Sequence, residues 1–141
     1  MLLRMILNKE KIMLRRMTTQ KKIVYETLDS LGHASVEEII DNIRMHHQQI
    51  SLATIYRNIQ TLIEENKIKK VKLKNQDVLE TIKKDHGHFV CEQCKNIWDI
   101  EVGKDELIDE ASKFSMHQLK QCDITFYGIC HNCKLKGEIK K

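Results

Sequence analysis

The chain has 141 residues, of which 41% are hydrophobic and 31% charged, and this balance provides a packed core and argues against general disorder. No apolar run approaches the ~18 residues that cross a bilayer, and the apolar stretch at residues 1–6 is too short for a secretory signal. We therefore expect a cytoplasmic protein with no membrane partner.

The formal net charge of +4 is confined to the first part of the chain. Residues 1–82 carry 14 Lys/Arg against 10 Asp/Glu, whereas residues 83–141 carry 10 of each. A basic module joined to a neutral one favours a nucleic-acid partner for the first module, although a solvated lysine-rich surface would give the same balance. We predict two domains, residues 1–82 and residues 83–141.

Three helices are predicted in the first domain after a weakly patterned helix at residues 1–16. Thr18 or Thr19 can cap a helix that runs to about Leu31, and Gly32 ends it. Ser35 and Glu38 form a capping box for a helix that ends near Arg44. Ser51 caps the third helix, which extends from Leu52 to about Glu65 with an apolar stripe on one face.

The third helix has the features of a DNA recognition helix. It is the second of two close helices, and small or hydrogen-bonding side chains with one arginine lie on the outward face of its first turns. A purely structural surface could carry the same residues. A lysine-rich hairpin follows, with strands at residues 67–73 and 78–82, and three helices with such a hairpin predict a winged helix.

The second domain is predicted to be α+β. Alternating side chains indicate strands at residues 97–102 and 122–127, and the stretch from Lys104 to about His117 has helical periodicity, with Leu107, Ile108, Ala111 and Phe114 facing inward. A domain of this size has a small core, so metal clips at the strand ends would add to its stability.

Two Cys-x-x-Cys pairs, Cys91 with Cys94 and Cys130 with Cys133, predict one structural zinc site. The 35 residues between the pairs make a longer separation than is common in small zinc modules. A disulfide within each pair is the alternative, but redox proteins of that kind have one such motif beside a βαβ unit, and Cys122 would be left over. We favour zinc.

Several motifs are spread over the chain from about Lys9 to Lys134: Thr18-Thr19-Gln20-Lys21, His33, Ile50-Ser51-Leu52-Ala53-Thr54-Ile55-Tyr56-Arg57, His86-x-His88-x-x-Cys91-x-x-Cys94 and Tyr127-Gly128-Ile129-Cys130-x-x-Cys133. Through these motifs the sequence resembles the ferric uptake regulator family over nearly its whole length. The resemblance implies a homodimeric, metal-dependent DNA-binding repressor with an N-terminal winged-helix DNA-binding domain and a small C-terminal α/β dimerisation domain that holds structural zinc.

The resemblance also implies roles for individual residues. The four cysteines match the structural zinc ligands. A regulatory site for Fe(2+) or Mn(2+) would consist of His33, Glu80, His86, His88 and Asp99. DNA contacts are expected from Ser51, Ala53, Thr54, Tyr56, Arg57 and Asn58, with Gln20 and Lys21. The aspartate five residues after the second cysteine, here Asp99, resembles the arrangement in the peroxide-responsive branch of the family. At the position of Glu80, that branch usually has aspartate.

The chemistry of these residues agrees with a regulatory metal. Three imidazoles and two carboxylates form a mixed nitrogen and oxygen set suited to Fe(II), Mn(II) or Zn(II). We expect no enzyme, because a zinc deaminase would need a Pro-Cys-x-x-Cys motif and the chain has no proline. A structural zinc protein that only binds partners stays open. The expected partner is a palindromic double-stranded DNA operator.

Overall fold

The computed structural model describes residues 17–136, so the helix predicted for residues 1–16 lies outside the described residues. The chain divides between Ile82 and Lys83 into two compact units. No helix in the described part is long and apolar enough to span a membrane.

The described residues of the first unit, 17–82, form three helices followed by a hairpin. The helices are α1 (Thr19–Leu31), α2 (Val36–His46) and α3 (Leu52–Glu64), and the antiparallel strands are β1 (Ile68–Lys72) and β2 (Asp77–Thr81). This order confirms the winged helix. α2 ends at His46, two residues beyond the predicted end near Arg44.

Side-chain caps fix where these helices begin. The side chains of Thr18, Ser35 and Ser51 each accept a hydrogen bond from a backbone amide three residues later, and Glu38 completes the predicted capping box. Gly32, at φ 81°, ends α1 in a conformation that disfavours a side chain. The caps therefore set the start of every helix in this unit.

The core of the first unit is built from apolar residues of all three helices and the hairpin. Ile55, Ile59 and Leu62 of α3 are buried as predicted, but Leu52 is 43% exposed. Leu52 is the first helical residue, and Ile50, just before the cap, occupies the core beside Ile55 instead. This arrangement is a hydrophobic staple, and it fixes how the chain enters α3.

The second unit has a three-stranded sheet with strand order β4-β3-β5. β3 (Gly87–Cys91) pairs antiparallel with β4 (Ile97–Ile100) and parallel with β5 (Thr125–Gly128). Two helices complete the unit, α4 (Lys104–Ser112) and the short α5 (His131–Leu135). The strand predicted at 97–102 begins where predicted and ends two residues earlier, whereas the strand predicted at 122–127 is shorter and shifted to 125–128. β3 and α5 had no counterpart among the predicted elements.

The predicted helix from Lys104 to about His117 is wrong in its second half. After Ser112 the amides of Lys113 and Phe114 bond to the carbonyls of Glu110 and Ala111, three residues back, and this tightening ends α4. Leu107 is 50% and Phe114 85% exposed, so these two do not face inward as predicted.

Candidate metal centres and DNA surface

The pairing of β3 with β5 brings the two cysteine pairs together. Cys91 ends β3 and lies opposite Gly128 of β5, while Cys130 caps α5 and Cys133 lies within that helix. All four sulfurs lie within 4.8 Å of one another, and the Cys91–Cys133 and Cys94–Cys130 Sγ distances are both 3.8 Å.

These distances fit zinc. Four sulfurs about 2.3 Å from one tetrahedral ion lie about 3.8 Å apart, whereas a disulfide needs about 2.05 Å. All five cysteines are free thiols, so the disulfide alternative is not formed. The cluster suits structural zinc, and a metal held by four thiolates would have no open position for catalysis.

Burial raises the pKa of the cluster thiols, whereas hydrogen bonds from backbone amides lower it. Burial raises the pKa of Cys91, but amide hydrogen bonds from Cys94 and Cys130 outweigh it and bring the value to about 6. A hydrogen bond with Cys130, together with burial, raises the pKa of Cys133 to about 12. Close thiols cannot all ionise without a cation, and a divalent metal removes that conflict.

On the sheet of the second unit, the side chains of His86, His88 and Asp99 lie close to one another. His88 lies opposite Asp99 in the β3–β4 register. The Nε2 atoms of His86 and His88 are 3.0 Å apart, and Asp99 Oδ1 lies 3.2 Å from the first and 3.8 Å from the second. Ligands around an ion with bonds of about 2.1 Å at right angles lie about 3 Å apart, so these atoms fit as neighbouring ligands of one metal.

The main chain orients the first of these rings. His86 Nδ1 lies 2.7 Å from the carbonyl oxygen of Lys84, which can only accept, so Nδ1 carries the proton. In the neutral ring Nε2 then has the lone pair that a metal needs. Between the histidines, a side chain at Gly87 would meet Val102 at 3.2 Å and the Ile124 carbonyl at 3.3 Å, so only glycine fits comfortably there.

In the first unit, a short bridge places His33 beside Glu80. Ala34 and Leu79 exchange backbone hydrogen bonds of 3.1 and 2.7 Å, and this pairing sets His33 next to β2. His33 Nε2 lies 3.0 Å from Glu80 Oε2, and Glu80 is fully buried. A buried carboxylate requires nearby positive charge or metal, because desolvation penalises its ionised form.

Two lysines beside these carboxylates were missed by the sequence analysis. Lys69 Nζ lies 3.4 Å from Glu80 Oε1, and Lys83 Nζ lies 2.6 Å from Asp99 Oδ2. The hairpin register contained a signal for the first, since Lys69 is directly opposite Glu80. No sequence pattern pointed to the second.

The predicted DNA-contacting residues occupy one end of α3 and the start of α1. Ser51, Ala53, Tyr56, Arg57 and Gln20 are exposed, whereas Thr54, Asn58 and Lys21 are half-buried. Asn58 donates to the Thr54 carbonyl at 3.0 Å, and Lys21 forms a 2.6 Å ion pair with Glu65. Their role at DNA stays a prediction.

Comparisons with known proteins give the following similarities. Residues 13–127 match the family described as the Ferric uptake regulator family. The chain is 26% identical over 124 residues to the peroxide operon regulator of Bacillus subtilis (strain 168), covering 86% of each protein. It is 27% identical over 132 residues to the ferric uptake regulation protein of the same organism, covering 86% of this chain and 87% of that one.

The fold also matches solved structures. The ferric uptake regulator of Helicobacter pylori superposes with a TM-score of 0.71 at 25% identity, covering 94% of this chain and 93% of the other.

Proposed function

Because this chain belongs to the ferric uptake regulator family and is a metal-dependent DNA-binding repressor, we propose that it senses peroxide through its regulatory metal site. The proposed ligands are His33, Glu80, His86, His88 and Asp99. Oxidation of a ligand histidine is the proposed signal that releases the repressor from DNA.

The observation that carries this proposal is the arrangement of donors inside each unit. His33 and Glu80 approach to 3.0 Å in the first unit, and the His86 and His88 nitrogens approach to 3.0 Å in the second. A metal that required ligands from both units would fix their relative orientation, and metal loss would release it. In a dimer that orientation determines whether both recognition helices can enter major grooves.

The chemistry of the proposed signal is an oxygen transfer. Fe(II), if held by these residues, would activate peroxide and be Fe(II) again at the end of the reaction. One peroxide oxygen is inserted into an imidazole C–H bond and the other leaves as water, so both electrons that reduce the peroxide come from the ring. His86 is held for this reaction by the Nδ1 hydrogen bond to Lys84. An oxidised imidazole is a poorer ligand, and metal affinity falls.

The operator is proposed to be palindromic, because family members dimerise and a two-fold dimer reads two half-sites. The exposed apolar side chains of the second unit support an interface there. They include Trp98, Leu107, Phe114, Met116, Phe126 and Tyr127.

Peptide mass spectrometry of Fe(II)- and Mn(II)-loaded protein after mild peroxide exposure tests the proposal. We expect an added oxygen on the peptide of His33 or His86 with iron only, together with loss of operator binding. His46 and His47, which lie outside the proposed site, provide an internal control for random oxidation. Equal oxidation of all histidine peptides would contradict a sensing site.

A repressor that responds to iron or manganese itself is the second candidate. It is favoured by Glu80, whose side chain is longer than that of aspartate and could bind a metal through both oxygens. If iron-loaded protein stays unmodified and bound to DNA after peroxide, the second candidate is correct. A zinc protein that only binds partners is set aside by the family assignment.

A further inference from the structure

In both carboxylates of the proposed regulatory site, one oxygen lies near an imidazole nitrogen and the other lies near a lysine ammonium group. In the second unit, Asp99 Oδ1 faces the imidazole nitrogens of His86 and His88 at 3.2 and 3.8 Å. The other oxygen, Oδ2, lies 2.6 Å from Lys83 Nζ. One oxygen therefore faces the ligand nitrogens, and the other is held by an ammonium group.

Glu80 repeats this division inside the first unit. Its Oε2 lies 3.0 Å from His33 Nε2, and its Oε1 lies 3.4 Å from Lys69 Nζ. Lys69 extends from the strand directly opposite, so the hairpin register fixes the contact.

We propose that Lys69 and Lys83 are positioning residues that each hold one carboxylate oxygen, so that Glu80 and Asp99 bind the regulatory metal through one oxygen only. This inference rests on the proposed function, since it assumes that these carboxylates are ligands. Carboxylates bind metals through one or both oxygens, and an oxygen engaged with an ammonium group has reduced negative charge for a second bond.

The relative strengths of the contacts support this arrangement. The Lys83–Asp99 contact is short but partly exposed, with side chains 42% and 33% accessible, so solvent weakens it. The Lys69–Glu80 contact is a longer ion pair without hydrogen-bond geometry, and solvent weakens it too because Lys69 is 40% accessible; the burial of Glu80 strengthens the attraction at the other end. Neither contact outweighs a divalent ion at the facing oxygen, yet both oppose rotation of the carboxylate that would bring both oxygens to the ion.

One-oxygen binding by both carboxylates has a consequence for sensing. Five ligands that each supply one atom leave a sixth coordination position open to a small molecule. A Glu80 side chain that bound through both oxygens would fill that position. Lys69 and Lys83 therefore keep the sixth coordination position open, although the Glu80 side chain is long enough to bind through both oxygens.

Cobalt(II) bound to the zinc-loaded dimer provides the test, because its visible absorption weakens as its coordination number rises from five to six. The variants are Lys69→Met and Lys83→Met, which remove the ammonium group and keep the side-chain length. Matched controls are Lys72→Met on the same strand as Lys69 and Lys113→Met in the second unit, whose side chain is 68% accessible and pairs with Glu110, a carboxylate outside the proposed site, at 3.0 Å. Intense near-ultraviolet bands would reveal cobalt at the cysteines, and such samples are discarded.

We expect a loss of visible intensity in Lys69→Met and Lys83→Met and an unchanged spectrum in both controls. Lys69→Arg keeps the charge and should keep the original spectrum. If Lys69→Met fails to fold because Glu80 is buried, the more exposed Lys83→Met carries the test alone. Unchanged spectra in the folded methionine variants would overturn the inference.

The proposed function fails in a different way. If wild-type protein does not bind cobalt, or if His86→Ala leaves cobalt binding unchanged, the regulatory site itself is misassigned. A cobalt site that depends on His86 but not on either lysine would reject only the positioning role.

Discussion

Cys94 is the exposed member of the zinc cluster, whereas Cys91, Cys130 and Cys133 are buried. Cys94→Ser removes one thiolate from a closed four-ligand site with little change in packing. We expect zinc loss and a lower melting temperature of the second unit, because structural zinc contributes about 10–16 kcal/mol of apparent binding free energy in small zinc modules. Elemental analysis and thermal circular dichroism measure the two effects.

Cys122→Ser is the matched control for this substitution. Cys122 is half-buried and does not belong to the four-sulfur cluster. Its replacement should leave zinc content and melting temperature unchanged. A Cys94→Ser protein that keeps its zinc and its stability would show that the cluster is not the structural site.

Residue types that bind metals could be predicted from the sequence, whereas the groups around them could not. The cysteine spacing alone identified four sulfurs that lie together. The contact of Lys83 with Asp99, by contrast, depends on how the chain turns after residue 82 and on which rotamer a long side chain adopts. A lysine has many such rotamers, and sequence spacing does not select one.

At the scale of elements, α3 separates a buried face from an exposed one. Ile55 and Ile59 are buried, and Arg57 is exposed between them on the other side of the helix. Arg57→Ala should weaken operator binding by about 1–3 kcal/mol, the usual value of an arginine that reads guanine, without lowering the melting temperature. Fluorescence anisotropy with labelled operator and a thermal melt provide the two readings.

The control for this substitution is Arg44→Ala on α2, an exposed arginine that is not among the predicted DNA contacts. Random-sequence DNA distinguishes two roles for Arg57. If Arg57→Ala lowers the affinity for operator and random DNA equally, Arg57 contacts phosphate. If it lowers the affinity for the operator only, Arg57 contacts bases. Unchanged operator affinity would remove α3 from the recognition role.

The helices of the first unit were predicted closely because local signals fix them. Each has a side-chain cap, and the apolar residues of α2 and α3 recur at helical spacing. α4 is different: Gly103 supplies no side-chain cap, and although its apolar residues recur at helical spacing, none of its residues is buried. Its end therefore depends on tertiary context, and this explains why the predicted length was wrong.

At the scale of the whole molecule, the two units are stabilised in different ways. The first unit has a buried apolar cluster drawn from three helices and the hairpin. In the described part of the second unit, one buried cluster is formed by Cys91, Cys130 and Cys133, with Phe89 and Ile129 packed against it. The cysteines proposed to bind zinc are thus a buried part of this unit, whereas the cluster of the first unit is built mainly from aliphatic side chains.

This difference predicts that metal removal acts in two separable steps. A mild chelator should take the regulatory metal first, because that site is proposed to be open whereas the four-cysteine site is closed. Operator binding should then be lost while both units stay folded. Added Mn(II) should restore binding, since no ligand has been chemically changed.

Removal of zinc should unfold the second unit selectively. Competition by protons and a strong chelator should remove zinc, because cysteines must be deprotonated to bind a metal. Hydrogen exchange measured by mass spectrometry should then show lost protection in residues 87–91 and 125–128, with residues 52–64 still protected by their own core. Loss of protection in both units together would mean that they unfold cooperatively, and retained protection in β3 and β5 would mean that zinc is not the main stabiliser of the second unit.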